Sequence, residues 1–306
     1  MANTINYAET YESELLAVTN QQTLTSPFIT SNVNWLSAKT FHFTSLVPSG
    51  FKAHSRDGGW NRGTLVEADH PYSLDHDRDV EFLIDKADVD ESNLTATVEN
   101  VSKNMQLINQ APEVDARFFE KVSAAAIAAD AAGTATYVDV EAAITAATVV
   151  SVIKTAINHV KIYRGSLMVF VNSTIMNLLE TAMVDNGRIQ WTSVAEGPKA
   201  IETRIYLMDG IPVVEVIDSD RFGTAFTYTD GYVLAAEDRG LQICVASLET
   251  VKTAMKINSI YAFAPGEHTE GDAYLYQNRQ LWDTFVKPNG KNGLIDSVAI
   301  VVDTAA

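Results

Sequence analysis

The sequence predicts an α+β protein that combines a long helix, an α/β region and an exposed β-hairpin. Three observations carry this prediction: a helical apolar repeat over 88–132, alternating helical and strand patterns from about 137, and turn-rich strands over 38–84. The chain has 306 residues, of which 46% are hydrophobic, so it can bury a substantial core in one large or two interwoven domains.

The stretch from Asp88 to Ala132 has the apolar spacing of one long helix with a flaw in its middle. Apolar residues recur at helical steps on both sides of Pro112: Leu94, Val98, Val101, Met105, Ile108, Val114, Phe118, Val122 and Ala126. Asp88 and Asp90 are candidate caps, and Gly133 marks the end. Because Pro112 has no N–H to donate, we expect a kink near Gln110, or two nearly collinear helices with Pro112 at the start of the second.

The length of this helix leaves two interpretations open. At about 1.5 Å per residue it would span roughly 60 Å, which a compact enzyme domain rarely needs. It is either a long core helix or a strut that crosses an extended, plate-like subunit and brings it into contact with its neighbours.

Residues 38–84 read as a long, exposed β-hairpin with little core of its own. The segments Asp57–Gly59 and Asn61–Gly63 suit a turn at its tip, and a strand over 80–84 leads into the long helix. Such a ribbon is marginal in isolation, so other parts of the molecule or of a neighbour must hold it. Residues 1–37 are polar and are expected to form an arm that lies across another surface.

Alternating elements after Gly133 predict an α/β region. We expect a helix over 139–163, a buried strand over 167–171, a helix capped by Asn172 or Ser173, and a polar loop over 185–199. A strand–turn–strand unit then turns at Asp209–Gly210, and the chain from Phe222 onward is mostly β.

The charge balance and the cysteine count exclude several classes of protein. Lys and Arg number 22 against 39 Asp and Glu, a net charge of −17, which disfavours broad binding to phosphate backbones. Cys244 is the only cysteine, which rules out an internal disulfide and suits a reducing compartment. No signal peptide or bilayer-spanning apolar stretch is evident, so we expect the chain to be made in the cytoplasm and to bind no membrane.

A search for catalytic motifs finds no nucleophile elbow, phosphate loop, HExxH or dinucleotide fingerprint. The acidic and histidine cluster over 70–81 allows a metal-dependent hydrolase as a rival hypothesis, but its spacing matches no standard ligand pattern. Arg78 is expected to pair with carboxylates of that strand. Glu113 and Asp115 are interpreted as first-turn acids that favour the helix dipole. We assign no catalytic, cofactor-binding or metal-binding residue.

Large aromatic residues in segments without a private core suggest burial against partner chains. Together with charged residues of the hairpin and the long helix, they form the set of candidate contacts between subunits. That set is Trp35, Phe51, Trp60, Arg62, Asp75, Arg78, Asp79, Glu113, Trp191 and Trp282.

Four runs, in this order, carry a resemblance to a known family. They are YSLDHDRDVEFLIDKADVDESN, QAPEVDARFFEKV, LMDGIPVVEV and YLYQNRQLWDTFVKPNGKNGL. From about Trp35 to the C-terminus, the chain resembles the major capsid proteins of tailed bacteriophages, whose fold was first described in the Hong Kong coliphage shell and is shared with encapsulins and herpesvirus capsids. The resemblance depends on the order and spacing of these runs. No single motif is diagnostic.

The resemblance implies the phage major capsid fold and a division of the chain into six parts. These parts are an N-terminal arm (1–37), an extended loop (38–84), a peripheral domain with the spine helix (85–136), an axial domain (137–255), return strands of the peripheral domain (256–291) and a C-terminal strand of the axial domain (292–306). Residues 185–199 become a candidate for the tip that surrounds the five-fold and six-fold axes.

The function that the resemblance implies is structural and non-enzymatic. Many copies would form pentamers and hexamers of an icosahedral shell that encloses double-stranded DNA without reading its sequence, within a virion assembled in the host cytoplasm. A portal and a separate scaffolding protein are expected partners, because only a short arm precedes the hairpin. An encapsulin-like nanocompartment is the alternative. Lys52, Asn289 and Asn292 leave open a covalent cross-link of the kind some relatives form.

Overall fold

The computed structural model describes residues 23–30, 39–54, 58–91, 98–131, 137–140, 144–160, 167–185, 191–194, 203–269, 271–288 and 295–303. The helices are α1 (Lys86–Glu91), α2 (Val98–Met105), α3 (Ala111–Ala131), α4 (Val149–Val160) and α5 (Ser173–Asp185). The first strands are β1 (Ile29–Thr30), β2 (Thr40–Pro48), β3 (Leu65–Ser73), β4 (His76–Asp85), β5 (Tyr137–Val140), β6 (Leu167–Asn172), β7 (Trp191–Val194) and β8 (Thr203–Met208). The others are β9 (Ile211–Val216), β10 (Phe226–Thr227), β11 (Val233–Leu234), β12 (Leu241–Ser247), β13 (Val251–Phe263), β14 (Ala273–Val286) and β15 (Val298–Val302). This mixture of sheets and helices confirms the predicted α+β class.

A seven-stranded mixed sheet forms the core of the C-terminal half, in the order β5-β15-β12-β6-β9-β8-β7. Strand β12 lies antiparallel between β15 and β6, with Cys244 opposite Ile300 and Phe170. All of β12 and β15 is buried, as expected for central strands covered on both faces.

The two faces of this sheet carry different helices. Ile243 and Val245 point into a cluster with α4 and α5, whereas Cys244 and Ala246 point into a cluster with α3. Side chains of successive strand residues face opposite ways, so one apolar strand serves both layers. The helix α3 therefore covers one face of the large sheet and is not confined to a peripheral position.

A second sheet, in the order β1-β13-β14-β4, lies beside α3 and contains the two longest strands. Strands β13 and β14 run antiparallel from Val251 opposite Val286 to Phe263 opposite Leu275, with an irregularity between Met255 and Ile257. The domain boundary predicted at 255/256 falls inside β13, so that strand belongs to one continuous element.

The hairpin is shorter than predicted. Strands β2 and β3 pair antiparallel from Thr40 opposite Ser73 to Pro48 opposite Leu65 and form a separate two-stranded sheet. The prediction is wrong for residues 74–84, because β4 leaves the hairpin and pairs with β14. Leu74, which is fully buried between β3 and β4, anchors the chain at the change of sheet.

The helix predicted over 88–132 contains the expected flaw. Residues 98–131 are continuously helical, but a π-helical turn over Gln106–Gln110 separates α2 from α3, and Pro112 is the second residue of α3. Pro112 cannot donate to the carbonyl of Ile108, and a widened turn accommodates the missing bond. Leu94 lies outside the described residues.

Two local predictions in the α/β region are wrong and two are confirmed. The predicted helix over 139–163 begins only at Val149, where Thr145 and Thr148 exchange hydrogen bonds at its start, while β5 pairs parallel with β15. The predicted loop over 185–199 contains strand β7, which pairs with β8. The Asn172 side chain caps α5 by accepting the Ile175 N–H at 2.8 Å, as predicted. The Asp209–Gly210 turn has both φ angles positive, 52° and 81°, as expected for a two-residue hairpin turn.

Candidate functional site

The hairpin formed by β2 and β3 places apolar side chains in solvent. Leu46, Leu65 and Val66 are 59%, 64% and 59% exposed. Among the hairpin side chains that the structure describes, only Phe41 is buried. Apolar strands with one empty face need a covering surface, so the hairpin is a candidate contact site.

The tip of the hairpin has a defined shape and presents two aromatic rings. The Lys52 ammonium donates to the carbonyl oxygen of Arg62 at 2.9 Å, and the Asn61 side chain donates to the carbonyl of Ala53 at 2.7 Å. Phe51 and Trp60 are fully exposed, at 110% and 96%. Large aromatic anchors on an ordered loop are typical of interface hot spots.

The root of the hairpin is attached to the second sheet by three aromatic rings. Phe285 of β14 meets Phe41 edge-on at 4.8 Å between ring centroids and Tyr72 at 5.2 Å. The Tyr72 hydroxyl donates to the carbonyl of Val286 at 3.3 Å. The hairpin is therefore held at one end only, among the residues that the structure describes.

A polar network joins the start of α3 to β4. The Glu113 carboxylate lies 2.8 Å from Nε2 of His76 and accepts from Nε of Arg78 at 3.1 Å. The other guanidinium nitrogens of Arg78 donate to the carbonyls of Tyr228 and Gly231, in the loop between β10 and β11. Arg78 thus connects the second sheet, α3 and the loop between β10 and β11.

The predicted pairing of Arg78 with carboxylates of its own strand is wrong. Alternation along β4 places Arg78 and Asp77 on opposite faces. Asp77 instead accepts two bonds from Arg279 of β14, at 3.2 and 3.1 Å, and one from Lys39 at 3.4 Å. The hydrogen bonds from Arg279 are the largest cause that lowers the pKa of Asp77.

A second network holds the middle of α3 against β14. The Arg117 guanidinium donates to the fully buried Asp283 at 3.0 and 3.2 Å and to Glu120 at 2.7 Å. Burial lowers the pKa of Arg117, but the bonds to Asp283 and Glu120 outweigh that effect and raise it. The Tyr228 hydroxyl donates to Glu120 at 3.0 Å, and burial followed by the Glu120 charge raises its pKa. Arg117 therefore remains charged, and Tyr228 remains protonated, at any ordinary pH.

Asp115 has a role that sequence reasoning missed. Its side chain is fully buried and paired with the equally buried Arg221 at 3.2 Å, whereas the sequence interpretation gave it only the role of a first-turn acid that favours the helix dipole. The immediate neighbours Val114 and Ala116 are buried as well, and this apolar surrounding was the available signal. The partner lies 106 residues away, so the pairing itself had no local signature.

A cleft of about 470 Å³ lies beside the π-helical turn, between α2, β4 and the loop that follows β10. It is lined in part by Asp79, Phe82, Met105, Gln110 and Asn278. Within the described residues, the buried oxygens Oε1 of Gln110 and Oδ1 of Asn278 have no hydrogen-bond partner.

The predicted contact residues occupy three kinds of position. Five of them are exposed: Phe51, Trp60, Arg62, Asp75 and Asp79. Two form an ion pair within the chain, Arg78 with Glu113. Trp191 lies in β7 but its side chain is not described, and Trp35 falls outside the described residues. Trp282 corrects the prediction: it is 1% exposed and packs edge-on against His76 at 4.7 Å. It belongs to the interior: His76 of β4 lies directly opposite it in the sheet, and β14 packs against α3.

The rival metal site finds no support in this geometry. His76 is bound to Glu113, and Asp77 is bound to Arg279 and Lys39. In the part of the chain that the structure describes, no group of three or more His, Cys, Asp or Glu side chains could hold a metal ion.

None of the described helices has the length and apolar character needed to cross a membrane.

Comparison with known proteins gives a consistent result at the level of structure alone. No protein-family model and no curated protein sequence matches the chain. A capsid structure of the cyanophage P-SCSP1u is similar with a TM-score of 0.69 at 14% identity, covering 98% of this chain and 93% of that one. The mature capsid of bacteriophage PhiM1 gives 0.64 at 11% identity, with the same two coverages. A structure from Mycobacterium phage Che8 gives 0.60 at 12% identity and covers 98% of both chains. The chain therefore has the fold of these phage capsid structures.

Proposed function

We propose that this chain is the major capsid protein of a tailed bacteriophage and assembles through pentamers and hexamers into an icosahedral shell around double-stranded DNA. The observation that carries the proposal is the fold, which is shared along nearly the whole chain with phage capsid structures. The six parts described above, from N-terminal arm to C-terminal strand, are proposed as its working divisions, with two bounds adjusted so that the hairpin ends at Ser73 and the return strands begin at Val251.

The exposed hairpin supports this proposal physically. Its strands leave Leu46, Leu65 and Val66 in solvent, and its tip presents Phe51 and Trp60. In a shell, these side chains would be buried on a neighbouring copy, and each buried aromatic contributes area that its own chain cannot cover. Many such contacts, each weak, make a closed shell stable as a whole.

The charge of the subunit is compatible with DNA as confined contents and not as a tightly bound ligand. With a net charge of −17, the chain has no general attraction for phosphate, and a closed wall needs none. Close packing of acidic copies requires local pairing of charges or apolar burial at the contacts. We accordingly propose no sequence-specific DNA contact.

The proposed partners and location follow from the same function. A separate scaffolding protein and a portal would assist assembly in the host cytoplasm, and the final location is the virion. No reaction is proposed for the chain, because its charged clusters are engaged in structural networks.

The decisive experiment is expression of the chain alone and with its neighbouring genes, followed by electron microscopy and particle-mass measurement. The proposal predicts closed icosahedral shells with pentameric and hexameric units and, in infected cells, packaged double-stranded DNA. Shells that enclose a protein cargo and no nucleic acid would support the encapsulin-like alternative. A soluble monomer at high concentration beside its assembly partners would refute both.

A further inference from the structure

The carboxylate of Asp115 gathers donors from two distant parts of the chain. Its oxygens accept the backbone N–H groups of Leu24 and Thr25 at 3.0 and 3.1 Å and the Thr25 hydroxyl at 2.7 Å. They also accept from Nη1 of Arg221 at 3.2 Å. Thr25, Asp115 and Arg221 are each fully buried.

The charge count at this site explains why so many donors are needed. Arg221 is shared between Asp115 and Asp218, whose oxygen lies 3.2 Å from Nε of the same guanidinium. One positive charge therefore faces two carboxylates. Buried carboxylates require hydrogen bonds on their remaining lone pairs, and the chain at Leu24 and Thr25 supplies them to Asp115.

Residues Leu24–Thr30, called here the N-terminal segment, also pack into the core. Phe28 is fully buried and contacts Phe118 at 4.7 Å between ring centroids. Ile29 and Thr30 pair parallel with β13 at Thr253 and Ala254. The segment thus has an apolar anchor at one end and the polar Asp115 anchor at the other.

We infer that Arg221 is a positioning residue for the N-terminal segment and acts on it through Asp115. Arg221 belongs to the segment between β9 and β12 of the large sheet, whereas Asp115 belongs to the spine helix. Burial raises the pKa of Asp115 and the charge of Arg221 opposes that rise, so Arg221 in place favours the ionised carboxylate that accepts from Leu24 and Thr25. A shift of the Arg221 segment relative to α3 would weaken the hold on the N-terminal segment, so the position of Leu24 and Thr25 is coupled to the large-sheet region.

The test must separate this coupling from simple loss of stability. In Arg221→Met, a buried carboxylate loses its cation, so both global stability and the docking of the segment should suffer. The double variant Asp115→Leu with Arg221→Met replaces both charges by apolar groups of similar size, which commonly restores stability. Hydrogen exchange of the full-length chain, read by mass spectrometry at Leu24 and Thr25 and across β6 and β12, reports the two effects separately.

In the double variant, the coupling predicts that the hydrogen-exchange rates in β6 and β12 return to within about twofold of wild type. The rates at Leu24 and Thr25 should stay about tenfold faster or more, because their bonds to a charged acceptor have been lost. Return of protection at Leu24 and Thr25 together with global stability would overturn the inference, because the pair would then act only as core filling.

Two further variants keep the test decisive if the charge variants do not fold. Thr25→Val removes the 2.7 Å hydroxyl bond and keeps the shape of the side chain, with Ser26→Ala as its matched control on an exposed neighbouring hydroxyl. Thr25→Val should speed hydrogen exchange at Leu24, and Arg221→Lys should reproduce part of that increase. Glu113→Gln, which alters an acid of the same helical turn as Asp115, should leave the exchange rate at Leu24 unchanged. Equal effects of Glu113→Gln and Arg221→Lys at Leu24 would contradict a route through Asp115. The inference concerns the single chain, so shell formation, scored by electron microscopy, tests the proposed function independently.

Discussion

The hairpin and the seven-stranded sheet are both β-structure built from the same residue types, yet they are stabilised in opposite ways. Strands β12 and β15 are buried along their whole length, whereas β3 is mostly exposed and the described part of β2 buries one side chain. The sheet has helices on both faces, whereas the described part of the hairpin is attached to the body at its aromatic root. One region therefore has a core of its own, whereas we propose that the other is covered by a surface outside the chain.

The largest effect is expected from a charge placed in the sheet region. Phe118→Asp buries an ionised group where Phe118 is now fully enclosed by Phe28 and Phe170, and such burial without a partner costs several kcal/mol. We expect no soluble folded protein, checked by yield and circular dichroism. Ile127→Asp, on the same helix but 43% exposed, is the matched control and should fold. A soluble, assembled Phe118→Asp protein would contradict the burial described here.

The next effect is expected at the hairpin and should appear only in assembly. Replacing residues 50–64 by Asn-Gly removes the tip with Phe51 and Trp60 but leaves the paired strands and the root. Because Phe51 and Trp60 lie in solvent, the melting temperature should change little while shells no longer form, as seen by electron microscopy and light scattering. The double variant Phe51→Trp with Trp60→Phe swaps the two aromatic side chains and should still assemble. Normal shells from the shortened chain would show that the tip is not a contact.

A smaller, local effect is expected at the root, where the two kinds of region meet. Phe285→Ala removes the ring that holds Phe41 and Tyr72, at a cost of about 3–5 kcal/mol if the site does not collapse. Hydrogen exchange should rise across β2 and β3 more than across β6 and β12. Tyr72→Phe deletes one long hydrogen bond, to the Val286 carbonyl, and should cost about 1 kcal/mol or less. Equal loss of protection in both sheets would mean that the hairpin is not an independent unit.

The smallest perturbation compares thiols in the two regions. Burial raises the pKa of Cys244 to about 12, so at neutral pH it carries roughly a thousandfold less thiolate than an ordinary thiol with a pKa near 8.5. A cysteine introduced by His54→Cys, on the exposed hairpin tip, should react with iodoacetamide at the rate of a free thiol, whereas Cys244 should react only in denaturant. Mass spectrometry of the alkylated peptides measures both rates in one sample. Fast labelling of native Cys244 would show that the large sheet opens readily.

Features of the fold that depend on neighbouring residues in the sequence were predicted, and features that depend on distant residues were not. The flaw near Gln110 was predicted because Pro112 has no backbone N–H to donate. The turn at Asp209 and Gly210 was predicted because these residue types tolerate a positive φ. The end of the hairpin was misjudged because β3 and β4 have similar alternating patterns, and only the pairing of β4 with β14 distinguishes them. Trp282 was taken for a contact residue because its segment was expected to have little core of its own, whereas it is buried beside His76 of β4.

The sequence alone determined the type and approximate place of the main elements, the exposed character of the hairpin and the resemblance to capsid proteins, because these depend on spacing between near neighbours. Only the tertiary structure decided which charges meet. Glu113 and Asp115 are two residues apart, yet one joins Arg78 and the other joins Thr25 and Arg221 in the interior. Their partners are brought together by the packing of sheets and helix, and contacts across 35 to 106 residues leave no periodic signature in one sequence.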